Sequence, residues 1–319
     1  GGGVVTGRSP ARRKFFRDPD VPDLLVFERS VDLHDSPLLR EGKIVLQGKA
    51  SCLPAHVLAT ALQHAPVPKP WKLLDACAAP GNKTSHLAAR AGREGGIITA
   101  YDRDPRRLER MADNLRRLRC ANARAERGDF LRVTPEDHPD VVGILVDPSC
   151  SGSGIVQRGD AGGAKKSSVD ETQKRLESLA TFQKDILGHA LSFPGVRYVV
   201  YSTCSVHTEE NEQVVQHALA SVGGAYRLVD AMPGWPCRGF TSENFVEGAL
   251  CLRAGPRETQ TQGFFVACFE RNAETSGTTS APPRPKTSKS VAKRKNDQVS
   301  PIIKSHFYAR ATKRRRKYL

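Results

Sequence analysis

The sequence predicts an α/β fold built on a mostly parallel sheet covered by helices on both faces. Two observations carry this. Short runs rich in Val, Ile and Leu recur at 71–78, 95–102, 141–150 and 196–203. They alternate with segments of helical character at 80–92, 104–119, 169–192 and 208–223. Strands that are apolar almost throughout belong in a sheet buried on both faces, and interposed helices are the crossovers that a parallel sheet requires.

Taken in order, "WKLLDACA" is the first of these strands, and "PGNKTSHLAARAG" is a helix closed by Gly92. "GGIITAYD" follows as a strand, and Asp104 with Pro105 is an N-cap followed by proline at the first helical position. The next element ends at Asp129 in "RGDF", and "VVGILVDPSC" is a strand ending near Asp147. The Gly/Lys/Ser-rich stretch 157–168 is expected to be a mobile loop, with a long helix after it. "VRYVVYST" is a strand leading to Cys204, and Thr208 is expected to cap a helix with Glu209 and Glu210 in its first turn. "GALCLRAG" and "GFFVACFER" read as a closing hairpin.

The 319 residues are 39% hydrophobic, enough for a core. No apolar run nears the ~18 residues of a membrane span, so no membrane partner is expected. Residues 1–16 lack an apolar stretch behind their charges, so no secretory leader is expected. The chain does not begin with Met, and residues upstream of Gly1 are expected. The eight cysteines include no CxxC pair and no Cys/His quartet suited to zinc, so the expectation is reduced thiols and no metal.

Four segments are expected: a basic arm at 1–20, a small α/β subdomain at 21–68, a catalytic domain at 69–270, and a disordered basic tail at 271–319. "HAPVPKP" marks the boundary before the catalytic domain. The net charge of +15 sits mostly in the tail, which holds 14 Lys/Arg and 2 Asp/Glu. Its Pro/Ser/Thr/Lys-rich composition cannot bury enough apolar surface to fold. Its "KRRRK" end suits phosphates or a nuclear import receptor.

The residues that suggest chemistry fall at strand ends, where open α/β sheets bind ligands. "DACAAPGNKT" (75–84) is neither a phosphate loop nor GxGxxG, because Asn82 stands where the former needs Gly before Lys. Its small residues would let a ligand approach the backbone, or they make only a tight strand–helix turn. Asp102, 27 residues beyond Asp75, suits a ribose. With Asp129 and Asp147 it suggests a cofactor bearing ribose, adenine and amino-acid groups, as S-adenosylmethionine does. Cys150 and Cys204 both follow apolar strands and share one rim. Cytosine C5 becomes nucleophilic enough to accept a methyl group once a thiolate has added at C6. A carboxyl near N3 stabilises the adduct, and a base then removes the C5 proton.

"DACAAPGNKT", "DPSCSGSG" and "YSTCSVHTEENEQVV" resemble the motifs of the Sun-domain (NSUN) family of RNA cytosine-5 methyltransferases, over about 25–270. The Asn82 form of the first motif resembles the branch that methylates large-subunit ribosomal RNA. The resemblance implies a Rossmann-like class I S-adenosylmethionine-dependent methyltransferase with a mostly parallel seven-stranded sheet. It implies Cys204 as the nucleophile, Cys150 as the thiol that assists product release, and Asp147 as the contact to the cytosine ring. It implies that Cys77, Ala78, Ala79, Pro80, Gly81, Asn82, Lys83, Asp102, Asp129 and Asp147 line the cofactor site. One departure is that Pro148-Ser149-Cys150 stands where the family has Pro-Cys. Partners implied are RNA and pre-ribosomal particles, in the nucleus and nucleolus. Two alternatives stay open: an amine methylase, whose motif shares Asp-Pro but needs an aromatic that "DPSC" lacks, and a catalytically silent ribosome-assembly factor.

Overall fold

The computed structural model describes residues 15–28, 31–155 and 169–273. Most of the basic arm, the Gly/Lys/Ser loop at 157–168 and the tail from 274 onward lie outside the described residues. The described residues belong to one compact unit, Gly1–Gly277.

Strands β1 (Phe15–Arg17) and β2 (Leu25–Phe27) form an antiparallel pair, with the Phe15 and Phe27 rings 5.5 Å apart. The arm expected at 1–20 therefore ends in a strand, since "FFR" gains a cross-strand aromatic partner that its own composition does not announce. After a short helix α1 (Pro37–Arg40) comes α2 (Lys49–Gln63). Ten of its 15 residues are buried, and it packs on the main sheet through Leu53, Leu58 and Leu62. A helix apolar on most sides needs cover all round, so it joins the core of the following segment and the proline cluster at 64–70 is an internal connection.

The main sheet contains β3 (Lys72–Asp75), β4 (Ile97–Asp102), β5 (Ala123–Arg127), β6 (Val141–Val146), β7 (Tyr198–Thr203), β8 (Tyr226–Leu228), β9 (Leu252–Ala254) and β10 (Phe264–Arg271). Their spatial order is β5-β4-β3-β6-β7-β10-β8, with β9 paired to β10. The first five strands pair in parallel, and β10 runs antiparallel to β7, β8 and β9. The sheet thus has eight strands rather than seven, because the hairpin expected at the end adds β9 alongside β10. β5 is the strand least visible beforehand. "ARAER" has no apolar run because it is a half-exposed edge strand.

Helices α3 (Asn82–Ala91), α4 (Pro105–Arg117), α5 (Val169–Leu191) and α6 (Glu212–Ser221) follow β3, β4, β6 and β7 respectively. Asp104 caps α4 as expected, accepting from the backbone N–H groups of Arg106 and Arg107. Period-two alternation splits each strand between two cores. Tyr198 and Val200 of β7 face the α2/α3 side, while Val199 and Tyr201 face the α5/α6 side. Gly143 in β6 lets α2 come close, since a Cβ there would lie 3.2 Å from both Leu58 and Leu62. Strand order reverses between β3 and β6, which opens a crevice at their carboxyl ends.

Candidate active site

Residues at the carboxyl ends of β3, β4, β6 and β7 line a cavity of about 360 Å³ at this crevice. Cys77, Ala79, Asp102, Asp129, Asp147, Cys150 and Cys204 all contribute to its walls. Ala78, Pro80, Gly81, Asn82 and Lys83 do not, and they act by shaping the loop behind it. The Ala78 N–H donates to Tyr101 O, and Pro80 O accepts from the Asn114 side chain. Gly81 has φ +96°, and a Cβ there would meet Met111 Cγ at 2.9 Å. Asn82 opens α3, where its carbonyl accepts from Ser85 Oγ.

The parallel pairing of β6 and β7 aligns Val146 with Tyr201 and so brings the two following loops together. Ser202 Oγ donates to Asp147 Oδ1 over 2.6 Å, and Lys83 Nζ lies 2.7 Å from Asp147 Oδ2. Burial alone would lower the Lys83 pKa, but attraction to Asp147 outweighs it and holds the amine above the ordinary lysine range. Lys83 therefore pairs with a carboxylate that lines the cavity.

Cys150 Sγ and Cys204 Sγ are 3.1 Å apart. The Pro148-Ser149-Cys150 departure thus leaves Cys150 aimed at its partner. A hydrogen bond from Cys150, aided by the Lys83 charge, pulls the Cys204 pKa down against burial and Asp147. The same hydrogen bond, together with burial, drives Cys150 strongly upward. The two shifts run in opposite directions, which separates two cysteines of similar sequence context. The other six are unlike this pair: burial raises Cys52, Cys77, Cys120, Cys237, Cys251 and Cys268.

Asp102 is 4% exposed, with Oδ2 accepting from the Ala79 N–H and Oδ1 from the Asp104 N–H. Arg107 reaches Asp102 Oδ2 at 3.3 Å and donates to Ala79 O at 2.6 Å. Asp102 thus fastens the small-residue loop as well as lining the cavity. Asp129 caps a short turn, accepting from the Leu131 N–H. Phe130, Phe182 and Ile186 add an apolar wall that sequence reasoning missed. Phe182 and Ile186 lie on α5, whose periodicity carries no sign of which side chains end at a ligand.

The helix expected to begin at Thr208 begins instead at Glu212. Thr208–Asn211 forms turns, because the Asn211 side chain is engaged by Thr203 Oγ1 and donates to Ser205 O. Glu210, expected in the first turn of that helix, is 0% exposed. It accepts from Ser151 N, Ser151 Oγ and Gln183 Nε2.

Residues 61–270 match the family described as 16S rRNA methyltransferase RsmB/F. The chain belongs to this family. Residues 7–47 match the ferredoxin-like domain of NOL1/NOP2/Sun domain family member 5. Among RsmB/F relatives, a Mus musculus 28S rRNA (cytosine-C(5))-methyltransferase is 45% identical over 81% of this chain and 53% of its own length. A Homo sapiens putative methyltransferase, NSUN5C, is 43% identical over 79% of this chain and 76% of its own. A Schizosaccharomyces pombe 25S rRNA (cytosine-C(5))-methyltransferase is 40% identical over 80% and 55%. The chain spans about half the length of the mouse and yeast relatives.

Among solved RsmB/F-like structures, a methyltransferase homologue from Pyrococcus horikoshii has 28% identity and TM-score 0.64, covering 82% of this chain and 79% of that one. NSun6 from the same organism, solved with the S-adenosylmethionine analogue SFG, has 25% identity and TM-score 0.58, covering 76% and 56%. Four-fifths of the chain thus superposes on this fold, with the thiol pair at the cavity mouth.

Proposed function

We propose that this chain methylates C5 of cytosine in large-subunit ribosomal RNA, with S-adenosylmethionine as methyl donor. The observation that carries this is the Cys150–Cys204 contact, one thiol hydrogen-bonded to a more acidic one beside a fixed carboxylate. An amine methylase has no use for such a pair, and a silent assembly factor has no need to keep a cysteine acidic. The rRNA cytosine methyltransferases among the relatives support the choice of substrate.

The cavity fits the donor. Its volume lies within the ~300–1,000 Å³ of small-molecule sites. A buried carboxylate at Asp102 suits ribose hydroxyls, Phe130 and Phe182 suit adenine, and the small residues Ala76, Cys77 and Ala79 line the wall beside them. When bound, S-adenosylmethionine supplies an electrophilic methyl group.

The protein's own groups do the rest. Cys204 Sγ adds to cytosine C6, and the electron pair of the C5–C6 bond moves into the ring, leaving C5 nucleophilic. Asp147, steadied by Lys83 and Ser202, meets the polar edge of the ring. Once its sulfur is bonded to carbon, Cys204 is a poor acceptor and the Cys150 thiol loses its hydrogen bond. In the final step a base takes the C5 proton, the electron pair of that C–H bond restores the C5–C6 double bond, and Cys204 Sγ departs with Cys150 as its proton donor. The target must leave its stack to reach this cavity, at a cost of a few kcal/mol that is smallest in unpaired RNA.

The basic tail supplies affinity for phosphates without selecting sequence. Nuclear and nucleolar action on pre-ribosomal particles follows from the substrate and from Lys313–Lys317. The test is bisulfite sequencing of large-subunit rRNA from cells lacking the protein and resupplied with it or with Cys204→Ala. One cytosine should regain protection with the former only. Equal restoration by both would refute a cysteine-dependent activity.

A further inference from the structure

We propose that Glu210 is the positioning residue that holds Cys150 against Cys204. The inference rests on the thiol chemistry above but concerns how the pair is assembled. Ser151 follows Cys150 and Ser205 follows Cys204, and their hydroxyls are 3.2 Å apart. Two adjacent loops alone would leave that contact loose, since each serine hydroxyl can rotate to other partners.

Glu210 removes the freedom. Its Oε1 accepts from the Ser151 N–H at 2.8 Å and from Gln183 Nε2 at 2.9 Å, and its Oε2 accepts from Ser151 Oγ at 2.6 Å. Gln183, itself 0% exposed, also donates to Ser149 O, so the residues on both sides of Cys150 are gripped. The Glu210 carbonyl meanwhile accepts from Tyr201 Oη at 2.6 Å, which ties the clamp to the strand that delivers Cys204. A buried carboxylate is costly unless its lone pairs are engaged, and here the donors are Ser151, next to Cys150, and Gln183 of α5, which also holds Ser149 O. Glutamine would keep one acceptor oxygen, and its amide N–H can donate to the Ser151 hydroxyl, so the clamp is removed by Glu210→Ala, which takes away both acceptors and frees Cys150 to drift.

The charged groups facing Cys204 are Lys83 of α3 and Asp147 after β6, and neither touches Glu210. Loss of the clamp is therefore readable in the titration of Cys204 while these two stay in place. The full chain, kept reduced, is treated with iodoacetamide across pH 6–10, and labelling of the Cys204 peptide is followed by mass spectrometry. No RNA or methyl donor is present, so failure here is distinct from failure of the proposed activity.

Cys150→Ala and Glu210→Ala should each move the midpoint upward, about tenfold less labelling at neutral pH per unit moved. The double variant should match Cys150→Ala alone, because the clamp acts only through Cys150. An unmoved midpoint in folded Glu210→Ala, or shifts that add in the double variant, overturns the proposal. If Glu210→Ala does not fold, Ser151→Ala removes only the hydroxyl donor, and an unmoved midpoint there overturns it equally.

Discussion

Lys83 Nζ and Asp147 Oδ2 are 2.7 Å apart at the mouth of the cavity, an ion pair joining the helix after β3 to the loop after β6. It spans the point at which strand order reverses, and the Lys83 ammonium also lies 5.4 Å from the Phe264 ring centre. One cation thus steadies the Asp147 carboxylate and draws down the pKa of the neighbouring Cys204.

Replacing this cation separates its two effects. Lys83→Met leaves Asp147 with only Ser202, and should destabilise the fold by about 1–3 kcal/mol through loss of a charge-assisted partner. It should also raise the pH midpoint for Cys204 alkylation. Thermal melting and alkylation read the two separately, and an unmoved midpoint would show that Cys150 alone sets the acidity of Cys204.

The cofactor loop gives a second expectation. S-adenosylmethionine at 100 times its Kd should stabilise the folded protein by about 2.7 kcal/mol. Gly81→Ala forces a side chain into a left-handed conformation and onto Met111. It should cost about 1–3 kcal/mol of stability and reduce the thermal shift given by the cofactor. Differential scanning fluorimetry with and without cofactor measures both, and an unchanged shift would detach Gly81 from the binding loop.

Much of this site was legible because strands β3, β4, β6 and β7 are apolar runs whose ends can be read residue by residue. Asp102, Asp147, Cys150 and Cys204 were found in that way. Glu210 was misread because "TEENEQVV" has the acidic start of a helix, while its real partners, Ser151 and Gln183, lie 59 and 27 residues away. Lys83 is expected at the cofactor only through the resemblance of "DACAAPGNKT" to the family's first motif. Only the tertiary fold reveals Asp147 as its partner. Local pattern locates strand ends, but it is blind to which buried polar groups satisfy one another.

Arg253 was equally silent in the sequence. It makes a bidentate pair with Glu212 at 2.6 and 2.7 Å, donates to Val206 O, and stacks 4.1 Å from the centre of the Phe240 ring. Both partners are under 10% exposed. Glu212→Gln should therefore cost about 3–5 kcal/mol by leaving a buried guanidinium without its counter-charge. Urea denaturation measures this, and a loss under 1 kcal/mol would mean that water compensates Arg253.

Acid should weaken the fold through two histidines. Burial and the nearby Arg90 depress His56 and His86 to about 4. Above pH 6.5 both are neutral folded or unfolded, so they cost nothing. Between 6.5 and 4 the unfolded chain takes up protons that the folded chain refuses, and stability falls by up to about 3 kcal/mol per histidine. Asp75, raised to about 7 by burial, acts oppositely and contributes most below pH 4. The net trend is a decline on acidification, which His56→Asn/His86→Asn should remove. A decline that persists in that double variant assigns it to other groups.

The two thiols give the last expectation, because the proposed chemistry uses them at different times. Cys204→Ala should abolish methylation and any covalent RNA complex, since no bond to C6 can form. Cys150→Ala should still allow attack by Cys204, at a reduced rate because its hydrogen-bond donor is gone, and should slow release. Enzyme joined to RNA should then accumulate on a denaturing gel. That band should vanish in the double variant, which identifies Cys204 as the residue bonded to RNA. Trapping by Cys204→Ala and none by Cys150→Ala would reverse the roles of nucleophile and helper. The structure argues against that reversal because the contact with Cys150, 3.1 Å away, and the Lys83 charge both favour the Cys204 thiolate, while the Cys150 thiol is pushed upward.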